Sequence, residues 1–552
     1  MDAEVIIAGA GPNGLMLAIE LRLAGVQPLV LERLPEPNST PRANGLVGQV
    51  VRMLDRRGLY ERLAGTPGPP QPQPAYIFGA MELPLEAIED NPVYMLPVPQ
   101  VRVEAVLRER ALELGAEIRQ GHELSGLSQD ADSVTVEVTG PSGVYELRTR
   151  YLVGADGGHS LTRKLAGIDF PGVTNDRMVS RTASALVPAE LIDPETGALV
   201  VPGYGVIPPF MHHRTERGMF VFAPFPGRQA VSTGEWDDPG DAGEMTFEEL
   251  QASADRVLGV HVPLTPPEGD GPRLLRRLVG GNSRLADRYR EGRVLLVGDA
   301  AHVHSAMGGP GLNLGLQDAI NLGWKLAAEV KGTAPAGLLD TYESERRPVG
   351  ERVVMQTQAQ TALIAPGNEV TALRQLFAEL LTEPRNVQRI ADLITGADIR
   401  YHPGAHPLVG RWAPDLTVEG ATSASSSVAS ARALSSPATA LGPSSPATTP
   451  APASSATAAA HSSPVRVRLA ELMRAGRPLL LDLTPVGAFA ATAVPDQVDV
   501  ITGRSDRQIA LLIRPDGYVA WAAEQDGIAE QDGLRDALAT WFQARPLTSA
   551  TR

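Results

Sequence analysis

The chain contains no cysteine. That absence removes disulfides, thiolate zinc, iron–sulfur ligation and any thiol nucleophile together, so redox chemistry here would need a bound cofactor. No run of about 18 apolar residues occurs, and a membrane-spanning helix is not expected. Acidic Asp2 and Glu4 precede the first apolar run, unlike the basic start of a secretory signal, and predict a cytoplasmic protein. Basic residues are outnumbered, 49 Lys and Arg against 64 Asp and Glu. The formal charge of −15 opposes a phosphate backbone or an anionic bilayer, so neither nucleic acid nor membrane is an expected partner. There is also no repeat of fixed period and no sustained heptad pattern.

What is present is ordinary globular composition, 43% hydrophobic and 20% charged, in 552 residues. At about 150 residues per domain this length predicts three to four domains. The 55 glycines and 47 prolines are more than average usage gives, partly from one low-complexity tract and partly from recurring glycine-rich turns.

Val5-Ile6-Ile7-Ala8 is a buried-strand run, followed by a glycine turn and a helix-forming stretch from Leu15 to Ala24. Gly25 suits a helix end, and Pro28 to Leu31 reads as a second strand ending at Glu32. This is a βαβ unit opening a doubly wound sheet. Val103, Leu107, Ala111 and Leu114 mark one helix face. Alternation over Val134 to Val138 and a turn at Gly140 to Gly143 predict a hairpin. From Pro171 to Pro272 the periodicity weakens into short, aromatic-bearing runs. A buried strand returns at Arg293 to Val297 with a helix through Leu312, Leu316, Ile320 and Ala327.

The expected fold class is mixed α/β: a Rossmann-like nucleotide-binding domain at 1–170 and 276–400, interrupted by a β-rich substrate domain at 171–275. A connection (401–420), a linker (421–463) and a small C-terminal α/β domain (464–546) follow. The linker is almost entirely Ala, Ser, Pro and Thr, with Arg432 its only formally charged residue, and cannot build a core.

In Gly9-x-Gly11-x-x-Gly14 the first glycine permits the tight turn, the second admits a pyrophosphate, and the third lets helix and strand pack closely. Pro12 and Asn13 complete the turn. Glu32, 18 residues after Gly14 at a strand end, can accept both ribose hydroxyls. A glycine-rich turn without ligand would account for Gly14 but not for Glu32, so the pair points to an adenine dinucleotide. His302 and His304 sit two apart, but no third ligand type lies nearby and no metal is expected. The adjacent His212 and His213 would point to opposite faces of a strand. Tyr204, Phe210, Phe220, Phe222, Phe225 and Trp236 are candidates to line a pocket for a flat ligand, and core packing explains most of them equally well.

Two further segments distinguish flavin from nicotinamide: Gly154-Ala155-Asp156-Gly157-Gly158-His159-Ser160 with Arg163, and Gly298-Asp299-Ala300-Ala301-His302. With the first fingerprint they resemble the three dinucleotide segments of single-component FAD-dependent aromatic monooxygenases related to para-hydroxybenzoate hydroxylase, over residues 1 to about 400. Pro41-Arg42-Ala43, Val98-Pro99-Gln100, Gly308 to Asn313 and Asp318 to Lys325 look most like aromatic polyketide hydroxylases and rifampicin monooxygenases. The segment Leu511 to Trp521 resembles their thioredoxin-like tail, which without cysteine cannot exchange dithiols.

The resemblance implies noncovalent FAD, NADPH or NADH as transient reductant, and O₂ as co-substrate. Oxygen would reach a polycyclic aromatic substrate through a flavin C4a-hydroperoxide. It places Glu32 on the ribose, with Arg33, Arg42 and Gln100 around the phosphates and ribityl chain. Asp299 would meet the ribityl hydroxyls, and Asp156 would support both FAD and NAD(P)H. Pro310, Gly311, Leu312 and Asn313 open a helix whose N–H groups and dipole could stabilise reduced flavin. Arg42 is the one catalytic candidate, since no motif names a base. Tyr204, Phe222, Phe225 and Trp236 are the substrate candidates, and the protein is expected as a monomer or homodimer. Baeyer–Villiger oxygen insertion on the same scaffold, and a non-catalytic flavin-binding assembly subunit, stay open as alternatives.

Overall fold

The computed structural model describes residues 1–37, 44–225, 227–238, 243–268, 274–305, 307–423 and 466–542. It divides into two compact units, Met1–Ile399 and Arg400–Arg552. The first unit opens with β1 (Ala3–Ala8), α1 (Pro12–Leu23), β2 (Pro28–Glu32), α2 (Gln100–Glu113), β3 (Glu117–Gln120), β4 (Val134–Gly140), β5 (Gly143–Gly154) and α3 (Leu161–Leu165). An inserted layer holds β6 (Gly172–Ser184), β7 (Met219–Phe225), β8 (Arg228–Trp236), α4 (Phe247–Leu258) and β9 (Leu275–Leu285). The chain then returns through β10 (Val294–Leu296), β11 (His302–Val303), α5 (Pro310–Val330), α6 (Thr341–Ile364) and α7 (Pro384–Thr395).

The order β10-β5-β1-β2-β3 forms a parallel sheet, and β4 adds antiparallel to β5. Val5, Ile6 and Ile7 are fully buried because helix α1 covers one face of the sheet and Leu124, Val134, Val136 and Val138 of the antiparallel strands cover the other, which is why this strand reads as a continuous apolar run. Helices α1 and α5 approach through glycine: an ideal Cβ at Gly315 would lie 2.3 Å from Asn13 Nδ2, and one at Gly323 would lie 2.3 Å from Glu20 Cβ. Glu20 is itself neutralised by a buried bidentate pair with Arg57, at 2.6 and 2.9 Å.

The inserted sheet runs β7-β8-β6-β9-β11, with His213–Arg214 outside β7. Its two faces differ. Val179, Arg181, Ala183, Phe220, Phe222, Val231, Thr233 and Glu235 are buried against α4, where Arg181 meets Glu235 and Glu249 at 2.9 and 2.7 Å. The opposite face is half-buried and alternates with it, as a two-sided strand requires. The expected β-rich layer is present, but helix α4, capped by Thr246 accepting from the Glu249 amide, was not anticipated.

In the second unit β12 (Thr417–Ser423), β13 (Arg466–Arg468), β14 (Leu479–Asp482), β15 (Asp499–Arg504), β16 (Ala510–Ile513) and β17 (Val519–Ala523) form one mixed sheet with α8 (Ile528–Trp541). Part of the segment 401–420, expected as a connection, contributes β12, because Val418 is fully buried in this core. Residues 424–465, nearly all of the expected linker, lie outside the described residues. Among the described residues no helix is long and apolar enough to cross a membrane.

Lys325 Nζ, in α5, donates to Glu345 at 2.7 Å and to Asn321 at 2.8 Å, and both charged side chains are at most 1% exposed. Lys325→Met strands the Glu345 carboxylate and should lower the unfolding free energy by about 3–5 kcal/mol, whereas the pair Lys325→Met/Glu345→Leu should recover most of it. Urea unfolding followed by near-ultraviolet circular dichroism measures both.

Candidate functional site

Three loops leave the carboxyl ends of the parallel strands and meet. An ideal Cβ at Gly9 (φ +107°) would lie 2.5 Å from the Ala155 carbonyl oxygen, and one at Gly298 (φ +61°) would lie 1.9 Å from Asn13 Nδ2. Only glycine allows both the left-handed backbone and this approach. At Gly14 a Cβ would lie 2.0 Å from the Gly9 oxygen, whereas at Gly11 it would meet nothing within 4 Å. Gly11 therefore faces open space beside the start of α1, which has Pro12 at its first position and no side-chain cap.

Glu32 accepts from the Ala10 amide at 2.8 Å and from the Leu34 amide at 3.0 Å, one bond per oxygen, which leaves acceptor capacity on each. Arg33 is exposed beside it, and Arg42 lies outside the described residues. Gln100, in the first turn of α2, donates to Glu104 at 2.7 Å. The Asp156 carboxylate turns inward, accepting from Ser160 Oγ at 2.5 Å and from the Thr162 amide and hydroxyl at 2.9 Å each. It shapes its loop at the start of α3. Asp299 sits exposed on a single helical turn, and among the described residues its carboxylate has no hydrogen bond.

Helix α5 also starts without a side-chain cap, after Gly308 and Gly309 in left-handed conformation and with Pro310 at its first position. Gly311 and Leu312 follow in its first turn, where N–H groups lack intrahelical acceptors. Asn313 is an internal clamp: its Oδ1 accepts from the Val47 amide and its Nδ2 donates to the Gly309 carbonyl, both at 2.9 Å. These features fit FAD. Two uncapped helix starts and an open glycine suit phosphate and pyrimidine oxygens, exposed Asp299 suits a polyol, and the buried Asn13 Oδ1 has no partner among the described residues.

His302 and His304 do not form a metal pair. His302 Nε2 bonds Asp318 at 2.6 Å in the interior, and His304 Nδ1 bonds the Ser305 carbonyl at 2.9 Å. Among the described residues no group of three or more His, Cys, Asp or Glu could hold a metal ion. Burial pushes the His304 imidazole down to about 4, so it is neutral near neutral pH. Its ring lies against Gly311, 3.5 Å from where a Cβ would be.

The second face of the inserted sheet carries Met178, Ser180, Thr182 and Ser184 on β6, Met219, Val221, Ala223 and Phe225 on β7, and Ala230, Ser232, Gly234 and Trp236 on β8, all half-buried except the buried Met219 and Gly234. Its centre is small and hydroxylated, with Thr182 and Ser232 bonded at 2.6 Å. One end is walled by Met178, Met219 and Trp236 packed with Met307 and Ile364. At the other, Phe225 meets Phe210 edge-on and lies under the Arg228 guanidinium.

Phe222 must be corrected as a pocket residue, because it points to the α4 core and is fully buried. Tyr204 also packs against that core and bonds His213 Nε2 at 2.8 Å, so it too belongs to the other side. Phe225 and Trp236 remain on the open face. Period-two alternation along β7 and β8 was the available signal for separating the two sets.

The profile described as FAD binding domain matches residues 2–357, and that described as Aromatic-ring hydroxylase, C-terminal, matches residues 450–545. The chain belongs to the FAD-binding aromatic-ring hydroxylases. It is 42% identical, over 98% of its length and 99% of the relative's, to the 12-dehydrotetracycline 5-monooxygenase/anhydrotetracycline 6-monooxygenase of Streptomyces rimosus subsp. rimosus. It is 37% identical, over 98% and 99%, to a rifampicin monooxygenase of Streptomyces venezuelae. The solved anhydrotetracycline hydroxylase OxyS from Streptomyces rimosus superposes with a TM-score of 0.78 at 38% identity, covering 99% of this chain and 100% of that one. This member of the family is accordingly an FAD-dependent monooxygenase.

The depressed His304 basicity has a stability consequence. The unfolded chain takes up a proton near the ordinary value of 6.5, the folded one only near 4. The stabilisation from a neutral His304 is thus fully present above about pH 6.5 and is lost as pH falls toward about 4. Urea midpoints across that window should fall more for the wild type than for His304→Asn.

Proposed function

We propose that this enzyme hydroxylates a polycyclic aromatic polyketide, using noncovalent FAD, NADPH or NADH as reductant and O₂ as oxidant. The observation that carries the reading is the inserted sheet's open face, a flat strip of Ser, Thr, Ala and Gly ended by Met178, Met219 and Trp236 on one side and Phe225 on the other. A planar ring system can lie on such a strip, gaining apolar burial at its ends and hydrogen bonds from hydroxyls along its length. The tetracycline and rifampicin names of the relatives agree with a large ring substrate.

When bound, FAD supplies the transfer of two electrons from NAD(P)H and the activation of O₂. The balanced reaction takes NAD(P)H, H⁺, O₂ and an aromatic C–H to NAD(P)⁺, H₂O and an aromatic C–OH. The chain's own residues bind and orient. Glu32 accepts ribose hydroxyls, Asp299 accepts ribityl hydroxyls, and Arg33, Arg42 and Gln100 supply polar contacts around the phosphates and ribityl chain. The start of α1, at Gly11, Pro12 and Asn13, meets pyrophosphate, and the start of α5, at Pro310, Gly311 and Leu312, meets the flavin pyrimidine. Asp156 contributes by holding its loop, and Asn313 by holding the start of α5 against Val47. Met307 and Ile364 exclude water where the sheet's apolar end meets the helix start.

Glu32→Ala and Asp299→Ala should each weaken FAD retention by about 1.5–3 kcal/mol, measured by flavin fluorescence on reconstitution of the apoprotein. Unchanged affinity in both would remove the assigned contacts. For the reaction, flat polycyclic phenols should accelerate NAD(P)H oxidation, and ¹⁸O₂ should place one labelled atom in a hydroxylated product. Oxidation at the same rate with and without every phenol, with no labelled product, would defeat the proposal. A labelled ester or lactone would instead assign oxygen insertion beside a ketone.

A further inference from the structure

Behind the turn that carries Asp299 lies a charged group with no access to solvent. Asp318, in the third turn of α5, is completely buried, and its carboxylate takes three bonds. One oxygen accepts from the Gly298 amide at 3.2 Å and faces His302 Nε2 at 2.6 Å, while the other accepts from Arg346 Nε at 2.7 Å. Arg346 also reaches the Leu314 carbonyl at 3.3 Å. The guanidinium and the imidazole hold the Asp318 carboxyl below the usual carboxylate range despite its burial.

The three partners belong to three different parts of the site. Gly298 immediately precedes Asp299 in sequence. His302 lies in β11, which pairs with Leu285 at the end of β9, and β9 pairs with β6 of the substrate-side sheet from Arg284 to Leu275. Arg346 lies in α6, whose last residue, Ile364, packs with Met219 and Met307 at the apolar end of that sheet. One carboxylate therefore touches the cofactor turn and both elements that run from it to the substrate face.

Stability alone does not account for this arrangement. A buried ion pair is commonly matched or surpassed by apolar residues of similar volume. The cluster also leaves His302 Nδ1 without a hydrogen-bond partner among the described residues, a cost that apolar packing would avoid. We propose that Asp318 is a positioning residue that couples the cofactor turn to the substrate sheet, with His302 as the link to β11. The inference rests on the assignment of Asp299 to FAD made above.

The test uses the full-length protein reconstituted with FAD. Asp318→Asn, which keeps the volume but weakens the three bonds, should raise the FAD dissociation constant by about tenfold or more, read by flavin fluorescence. His302→Leu, which cuts only the link to β11, should raise KM for a polycyclic phenol by about fivefold or more at saturating FAD, with kcat nearly unchanged. It should also diminish the change that the phenol produces in the flavin visible spectrum. His302→Gln, which can return an N–H to Asp318, should restore both. Should Asp318→Asn not fold, the two His302 variants decide the matter. Folded variants with wild-type FAD affinity, KM and spectral response, differing only in a lower melting temperature, would reduce the cluster to a structural pair and overturn the inference. Wild-type protein that bound no FAD would instead remove the cofactor reading on which it rests.

Discussion

The close approach of α1 to α5 is the constraint on which the rest of the larger unit depends. Gly315 and Gly323 on α5 receive Asn13 and Glu20 of α1, so neither glycine position has room for a side chain. The same approach brings together two helix starts that would otherwise belong to separate crossovers. One follows the glycine turn after β1 and the other follows the Gly308-Gly309 loop, and both begin with proline and lack a side-chain cap. A pair of uncapped positive dipole ends on one side of a sheet suits a ligand carrying negative or partly negative groups at two places. The burial of Glu20 that results is offset by Arg57, and the burial of Lys325 further along α5 by Glu345.

Much of this was legible in the sequence, for physical reasons that differ by region. The parallel strands announce themselves because burial on both faces makes Val5 to Ala8 and Val294 to Val297 unbroken apolar runs. The helix from Pro310 to Val330 shows because its apolar residues keep a helical period. Family resemblance supplied what spacing could not, chiefly the flavin assignment. The inserted layer was harder. Its strands carry aromatics on both faces, so Phe222 and Phe225 look alike until the alternation fixes which one meets α4. Helix α4 itself carries sequence signals, a Thr246 cap and apolar positions at Phe247, Leu250, Ala254, Val257 and Leu258.

The polar interior was not legible at all. Asp318 and Arg346 are separated by 28 residues and Asp318 and His302 by 16, and nothing local to any of them indicates its partner. Asp156 shows the converse limit. Its motif is recognisable, but the bonds its carboxylate accepts from Ser160 and Thr162, which shape the loop, are not announced by the motif.

The inserted sheet separates two duties by the pleat of its strands. Residues facing α4 carry the salt-bridge network and the apolar core, so exchanging them endangers the fold. Ser180, Thr182, Ser184, Ala223, Ala230 and Ser232, one residue away along the same strands, are small and only half-buried. Mutational drift at these positions costs the scaffold little, so single exchanges can reshape that face while the architecture stays fixed. Diversity of that surface among descendants of such a scaffold is then a consequence of β-strand geometry and requires no new loops or domains.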